Sequence, residues 1–375
     1  MKCKVLFVFI VLCLGACGSE DGAPLASEIQ PADSIPLEDI SLSTSVSFMH
    51  ISDTHGSSVS VIPMVEALNS TDCDFGIISG DILPDDYMMS WINRSVKPIF
   101  LIPGNHDAYD ENGEGQFGFR KNVNNNNKTI PNVVYGDAAG NYYYYDFNRD
   151  TLDFRVIALD QFEVDVMGKG THYDVAMTQK QYDWFIQVLE NSYSLDGFIV
   201  VIHDGFGNQQ IGQRNIDNTN KFISTLARDF YNAYDFNGGA NPLIIPDIIE
   251  AYMTGVNITK EAYASGYEAF PIEITTHFKG PHRNFIAYFG GHLHWDEVEY
   301  LNSHPNQLLV LIAYGGVGTM SNYNDLIKTA TGVSSYNINY NVVDFEKKKF
   351  TIHRLGAKET ISGVVRDSIA FDILK

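Results

Sequence analysis

The chain has 375 residues, of which 45% are hydrophobic and 19% charged, a composition typical of a globular protein large enough to bury a full core. Its length corresponds to one large domain or two small ones. Acidic residues outnumber basic residues 46 to 25, and the net charge is −21. This balance disfavours a nucleic acid as partner, because the summed electrostatic field repels polyanions.

The N-terminus has the form of a signal peptide. Lys2 and Lys4 precede an apolar stretch, residues 5–16, that is too short to span a bilayer. The segment LGAC at its end resembles a bacterial lipobox, in which the cysteine, here Cys17, becomes the lipidated first residue of the mature protein. Residues 1–17 are therefore predicted to be a lipoprotein signal peptide. The alternative is a plain secretory signal whose cysteine is incidental.

Residues 18–44 are rich in Ser, Pro, Asp and Glu without periodicity, which predicts a flexible tether between lipid and domain. Beyond Cys17 the only cysteine is Cys73, so the mature chain has no disulfide framework. No later stretch is long and apolar enough for a transmembrane helix, so acyl chains would be the membrane anchor. We expect an envelope lipoprotein anchored in the outer membrane, on its periplasmic or its cell-surface face.

From residue 46 the chain shows short apolar runs bounded by Gly, Asp or Pro, the pattern of buried strands. In chain order these runs are SVSFMHISD, DFGIISGD, KPIFLIPGNHD, FRVIALD, GFIVVIHD, NFIAYFGGHLH and LLVLIAYGGV. IPMVEALNS and TQKQYDWFIQVLENS have helical spacing, and Thr178 is placed as the N-cap of the second. Strands alternating with helices predict an α/β layered domain over residues 45–375.

Other segments interrupt or close this series. The segment KNVNNNNKTIPN reads as a polar loop, and NYYYYDF after it as an aromatic-rich strand without an assigned role. Residues 205–284 form an insertion between two strand ends that carry histidine. We expect it to cap those ends, with a tethered surface element as the alternative. The C-terminal part predicts a hairpin turning near residues 347–349 and a final strand, VVRDSIAFDIL.

Metal-capable side chains follow nearly every apolar strand at its C-terminal end, the edge where α/β sheets bind ligands. They are Asp53, His55, Asp81, Asn105, His106, Asp107, His203, His292 and His294. Taken singly, each has a structural alternative: an aspartate can cap a helix or turn, an asparagine after glycine can be a turn residue, and a lone histidine is more often structural than a ligand. The joint pattern predicts a metal site.

In order these residues give Asp-x-His, Gly-Asp, Gly-Asn-His-Asp, His and Gly-His-x-His. This set resembles the calcineurin-like metallophosphoesterase superfamily. The resemblance implies a two-layered β-sandwich of two mixed sheets flanked by helices, with a dinuclear metal site at the C-terminal edge of the strands. It also implies an enzyme that hydrolyses small phosphate esters with a water activated by two divalent or mixed-valence metal ions.

The resemblance further implies how the residues divide these tasks. One metal is held by Asp53, His55 and His294, the other by Asn105, His203 and His292, and Asp81 bridges both. Carboxylate, amide and imidazole ligands suit Mn, Fe, Zn or Co, and the lack of thiolate argues against a structural zinc site. His106 faces the substrate phosphate or the leaving-group oxygen, and Asp107 orients its imidazole through a hydrogen bond. The alternative for Asp107 is a plain loop carboxylate.

Two other classes of function remain open. One is a surface binding lipoprotein that keeps the scaffold without turnover. The other is a nuclease of the same superfamily, which the net charge and the absence of a Lys/Arg stripe disfavour. Purple acid phosphatases have glycine where this chain has His55 and tyrosine where it has Pro84, so that branch is disfavoured as well. Monoester and diester substrates remain equally open.

Overall fold

The computed structural model describes residues 43–108, 122, 126, 129–137, 140–162, 177–204, 235–236, 244–264, 267–291, 297–301, 304–311, 337–356, 360–361, 364–365 and 368–373. The predicted signal peptide, Cys17 and nearly all of the tether lie outside these residues, as do His292 and His294. No helix among the described residues is long and apolar enough to cross a membrane.

The strands in chain order are β1 (Ser45–Ile51), β2 (Phe75–Ser79), β3 (Ile99–Ile102), β4 (Val133–Tyr135), β5 (Tyr143–Arg149), β6 (Leu152–Ala158), β7 (Gly197–Asp204), β8 (Asp235–Phe236), β9 (Thr259–Ala264), β10 (Tyr267–Thr275), β11 (Phe285–Gly291), β12 (Glu297–Leu301), β13 (His304–Leu311), β14 (Asn337–Asp344), β15 (Lys349–Gly356), β16 (Thr360–Ile361), β17 (Val364–Val365) and β18 (Ser368–Asp372). The helices are α1 (Val61–Ser70), α2 (Asp86–Ile92), α3 (Asn105–Ala108), α4 (Gln179–Glu190) and α5 (Ile244–Thr254).

Two mixed sheets form the framework. The first has the order β18-β15-β14-β1-β2-β3, in which β1, β2 and β3 are parallel and the other pairs antiparallel. The second has the order β12-β13-β11-β7-β6-β5-β4, with β13, β11, β7 and β6 parallel. The predicted α/β fold of two mixed sheets is confirmed. The predicted C-terminal hairpin is confirmed too, since β14 pairs with β15 around the expected turn.

Aromatic side chains fill the space between the two sheets. Phe48 of β1 stacks on Phe75 of β2, with ring centroids 5.2 Å apart, and meets Phe289 of β11 edge-on at 5.2 Å. The second of these contacts joins the sheets. The aromatic-rich strand also has a packing role: Tyr143 and Tyr145 of β5 point into this core. Alternation along a strand sends intervening residues to the opposite face.

Helices cover the outer faces. Buried residues of α1 and α2 pack with Met49 and Ile51 of β1 on the first sheet. The helices α4 and α5 pack with Phe198 and Val200 of β7 on the second. Thr178 caps α4, as predicted, by accepting a hydrogen bond from the backbone N–H of Gln181. Polar residues at the helix end thus satisfy N–H groups that lack a partner within the helix.

The described part of the insertion contributes to this outer layer. Ile248 and Ile249 of α5 and Ile274 of β10 are buried in the same cluster as Phe198. This part is therefore built into the domain core. Residues 205–234 lie outside the described residues, so the cap over the strand ends stays a prediction for that stretch.

The Tyr143 hydroxyl links the second sheet to the edge strand β3 of the first. The backbone carbonyl of Leu101, on the edge strand β3, accepts a hydrogen bond of 3.0 Å from the buried Tyr143 hydroxyl of β5. We predict that Tyr143→Phe lowers the free energy of unfolding by about 1–3 kcal/mol, because it leaves that buried carbonyl without this donor. Urea denaturation followed by circular dichroism measures the change.

The matched control is Tyr144→Phe on the same strand. The Tyr144 ring stacks on Trp184, but its hydroxyl makes no hydrogen bond among the described residues. We expect this variant to change the unfolding free energy by less than about 0.5 kcal/mol. Equal losses in both variants would show that the hydroxyl of Tyr143 does not join the sheets.

Candidate metal centre

Three loops follow the parallel strands of the first sheet and carry most of the described candidate residues. We call them loop 1 (residues 52–56, after β1), loop 2 (residues 80–84, after β2) and loop 3 (residues 103–107, after β3 and including the first residues of α3). Loops 1 and 2 continue the pairing of their strands. The N–H groups of Asp53, His55 and Gly56 donate to the carbonyls of loop 2 at 3.0, 2.8 and 3.0 Å.

Both loops hold non-glycine residues in the left-handed region of backbone space. The φ angles are 54° for Asp53, 45° for His55, 51° for Asp81 and 51° for Leu83. This region is unusual for non-glycine residues, and above all for a bulky one such as leucine. Each such residue costs about 1–3 kcal/mol and persists only where its surroundings force it. The paired loops supply that constraint.

Asp81 is the buried centre of the cluster, with 1% of its side chain exposed. Its Oδ1 accepts a hydrogen bond from the His106 N–H at 2.8 Å and lies 3.4 Å from Nε2 of His203. Its Oδ2 lies 3.6 Å from Nε2 of His55 and accepts no hydrogen bond from any described residue. Two ligands about 2.1 Å from one tetrahedral ion lie about 3.4 Å apart. The oxygen and nitrogen of each pair are therefore spaced so that both could bind the same ion.

The His203 ring is set for metal binding by the backbone. Its Nδ1 lies 2.7 Å from the Ser79 carbonyl oxygen. A carbonyl can only accept, so Nδ1 carries the proton and a neutral ring directs the Nε2 lone pair at Asp81 Oδ1. A lone pair facing a carboxylate requires a proton or a cation between them. Histidine ligands of metals commonly donate their second N–H to a backbone carbonyl in this way.

The charges at the centre agree with this requirement. Burial opposes protonation of His203, but the adjacent Asp81 carboxylate raises the pKa of His203 to about 10. Burial likewise opposes ionisation of Asp81, and the imidazoles of His203, His106 and His55 nevertheless hold its pKa well below the usual range. Without an ion, protons supply the positive charge that this buried carboxylate demands.

Two overlapping groups of side chains could each hold an ion. One consists of His55, Asp81 and His106, the other of Asp53, Asp81 and His203, with ligand atoms within 4.8 Å of one another. Asp81 belongs to both groups. The structure therefore brings these predicted residues to one place, and the donor set fits a metal ion. The side chain of Asn105 lies outside what the structure describes, as do the whole of His292 and His294.

Glycines allow these side chains to approach one another. A Cβ atom at Gly80 would lie 2.2 Å from Nδ1 of His203, and one at Gly104 would lie 2.2 Å from the Asp81 nitrogen. At Gly291 it would lie 2.4 Å from Oδ2 of Asp53. The glycines that precede Asp81, Asn105 and His292 thus occupy space that no side chain could share. Gly291 also brings the chain that continues to His292 beside Asp53.

Several supporting residues were not predicted. Ser79 lies beneath the centre, and its carbonyl accepts from both His203 and the Ser52 hydroxyl. The Ser79 hydroxyl contacts Nε2 of His50 at 2.7 Å, and burial lowers the pKa of His50 to about 3. The side-chain oxygen of Gln161 accepts a hydrogen bond from the backbone N–H of His203 at 3.2 Å. Serines inside otherwise apolar runs were the available signal for Ser52 and Ser79.

Asp107 makes different contacts from those predicted. Its buried carboxylate accepts hydrogen bonds from the N–H groups of Ile82, Leu83 and Gly104. A hydrogen bond to the His106 imidazole is not among its contacts with the described residues. The side chain points between loops 2 and 3, where these three donors use its oxygens. Burial and the Asp81 charge raise the pKa of Asp107 to about 7, although these donors favour the ionised form.

A family model described as calcineurin-like phosphoesterase matches residues 46–237, half of the chain. The chain belongs to the calcineurin-like phosphoesterase family. The resemblance seen in the ordered motifs is thereby confirmed, and as a member of this family the protein is a phosphoester hydrolase. The matched range includes Asp53, Asp81 and His203, whereas His292 and His294 lie beyond it.

Comparison with solved structures matched a novel archaeal phosphodiesterase, with 11% identity and a TM-score of 0.30 over 82% of this chain and 99% of that chain. Vps29 of Chaetomium thermophilum shows 10% identity and a TM-score of 0.29, over 88% of this chain and 97% of that chain. Comparison with curated proteins gave no match.

Proposed function

We propose that this phosphoesterase hydrolyses small phosphate esters with two divalent metal ions held where loops 1 to 3 meet the end of β7. One observation carries the proposal: the two oxygens of the buried Asp81 face two different imidazoles, Oδ1 at 3.4 Å from His203 and Oδ2 at 3.6 Å from His55. A carboxylate that offers each oxygen to a separate nitrogen ligand has the form of a bridge between two ions.

The proposed division of ligands is the one that the family resemblance implies. Among the described residues, Asp53 groups with Asp81 and His203, and His106 groups with Asp81 and His55. Asp53, His55 and His294 would hold one ion, Asn105, His203 and His292 would hold the other, and Asp81 would bind both. Oxygen and imidazole ligands without thiolate suit Mn, Fe, Zn or Co. Such ions would supply the positive charge that polarises a phosphate and acidifies a nearby water. They also offset the acidic surface, which by itself repels an anionic substrate.

His106 is the residue that we assign to the substrate. Its side chain is 39% exposed, whereas Asp81 beneath it is buried. Its ring lies edge-on to His55 with centroids 5.0 Å apart, and its Nε2 lies 4.0 Å from Asp81 Oδ2. An accessible imidazole beside the ligands can donate a proton or a hydrogen bond to an oxygen of the ester.

The metal requirement is tested with a chelator and with Asp81→Asn. We expect EDTA to abolish hydrolysis of nitrophenyl phosphate and Mn²⁺ to restore it. Asp81→Asn should lower metal content, measured by inductively coupled plasma mass spectrometry, and reduce activity by at least about 100-fold, because a neutral amide cannot bridge two cations equally.

Asp85→Asn is the control, since this exposed N-cap of α2 lies in the sequence just after loop 2 and asparagine is also a good cap. Its activity and metal content should match the wild type. Full activity and metal content in Asp81→Asn would refute the proposed centre.

A substrate panel separates the remaining alternatives. Monoesters, diesters and single-stranded DNA are each tested with saturating Mn²⁺. Turnover of small esters supports the proposal. Turnover of DNA alone would make the protein a nuclease, and metal binding without any turnover would make it a binding protein.

The His106 assignment is tested through the leaving group. We predict that His106→Gln keeps its metal, loses about 10²- to 10⁴-fold in kcat on alkyl phosphates, and loses less on nitrophenyl phosphate. Alkoxide leaving groups need protonation, whereas nitrophenolate departs without it. Equal losses on both esters would leave His106 as a binding residue, and loss of metal would make it a ligand.

We also propose that lipid on Cys17 anchors the protein in the outer membrane of the cell envelope. The lipobox-like segment LGAC and the polar tether after it support this. Cys17→Ser should move the protein from the detergent phase to the aqueous phase in Triton X-114 partitioning, or leave it unprocessed at its signal peptide. Unchanged partitioning of a processed variant would contradict the lipid anchor.

A further inference from the structure

Loop 2, which carries Asp81, is attached differently to its two neighbours. Backbone hydrogen bonds join it to loop 1. Between loops 2 and 3, no backbone-to-backbone hydrogen bond occurs among the described residues. The parallel pairing of β2 with β3 ends at Ser79 and Ile102. Beyond that point another group has to connect the two loops.

The Asp107 carboxylate makes this connection. Its Oδ1 accepts from the N–H groups of Ile82 at 2.9 Å and Leu83 at 2.7 Å. Its Oδ2 accepts from Gly104 at 3.0 Å and is shared with Ile82 at 3.1 Å. One side chain thus satisfies N–H groups on both loops, as a neighbouring strand would.

The same two loops carry the geometry that the centre needs. Asp81 and Leu83, which flank Ile82, both have left-handed backbone conformations. In return, the N–H of His106, next to Asp107, donates to Asp81 Oδ1 at 2.8 Å. The bonds to Asp107 therefore fix the backbone directly after Asp81, and the bond from His106 fixes the Asp81 side chain.

We propose that Asp107 is a positioning residue whose carboxylate replaces strand pairing between loops 2 and 3 and holds Asp81 in its strained conformation. It acts on the ligand Asp81 rather than on the imidazole of His106. The connection itself is a property of the chain and requires no metal. Its consequence for metal affinity rests on the proposed function.

The first test uses the metal-free wild-type protein and residue-resolved hydrogen exchange. The N–H groups of Ile82, Leu83 and Gly104 should be protected. The N–H of Tyr87, in the first turn of α2, is the reference for rapid exchange, because it has no acceptor among the described residues. Exchange of Ile82 and Leu83 as fast as that of Tyr87 would overturn the proposal, whatever the enzyme hydrolyses.

The second test uses Asp107→Asn. The amide keeps one accepting oxygen, but its NH₂ group replaces the other and opposes an N–H of the backbone. We expect faster exchange at Ile82 and Leu83 and a loss of about 10- to 100-fold in Mn²⁺ affinity, measured by electron paramagnetic resonance. At saturating Mn²⁺, the loss in kcat on alkyl phosphates should equal the loss in kcat on nitrophenyl phosphates. Asp85→Asn is the control and should change none of these quantities.

A second substitution separates positioning from folding. Leu83→Gly removes the steric strain of the left-handed conformation, so adding it to Asp107→Asn should restore part of the lost Mn²⁺ affinity. Asp107→Asn with normal Mn²⁺ affinity and the leaving-group dependence of His106→Gln would show instead that Asp107 orients the imidazole. If Asp107→Asn does not fold, hydrogen exchange of the wild type decides the question.

Discussion

A buried carboxylate surrounded by imidazoles is the constraint on which the rest of this structure depends. Asp81 has almost no exposed surface, and its Oδ2 accepts no hydrogen bond from any described residue. A charge in such a place is costly unless a cation or several donors face it. His203 faces one oxygen and His55 the other. We therefore regard the positive charge that this carboxylate requires as the reason for the surrounding arrangement.

Both sheets are needed to meet that requirement. Asp81 follows β2 of the first sheet, whereas His203 lies on β7 of the second. The aromatic core between the sheets, with Phe48 against Phe289, sets the separation between these two side chains. Glycine at position 80 lets His203 approach the loop backbone. A change in the packing of this core would therefore also change the geometry of the centre.

Much of this could be predicted from the sequence because it depends on local pattern. Apolar runs predicted the strands, helical spacing and Thr178 predicted α4, and the ordered metal-capable residues indicated the family. The contacts of Asp107 could not be predicted in this way. Two of its three partners, the backbone N–H groups of Ile82 and Leu83, are more than twenty residues away, and backbone groups leave no trace in the sequence.

The backbone conformation of the loops was hidden for a related reason. Nothing in the sequence indicates that Leu83 has a φ angle of 51°, because left-handed positions are normally signalled by glycine or asparagine. The role of the Ser79 carbonyl was equally inaccessible, since any residue type supplies a carbonyl. Tertiary contacts impose these features on the chain, so only the three-dimensional structure shows them.

Anomalous diffraction from crystals grown with Mn²⁺ can show whether Asp81 bridges two metal ions. We predict two anomalous peaks beside the Asp81 carboxylate, one next to Oδ2 on the side of His55, the other next to Oδ1 on the side of His203. The two peaks should lie about 3.5–4 Å apart, as in other two-metal sites. A single peak, or peaks that do not contact Asp81, would contradict the bridging role on which the proposed function depends.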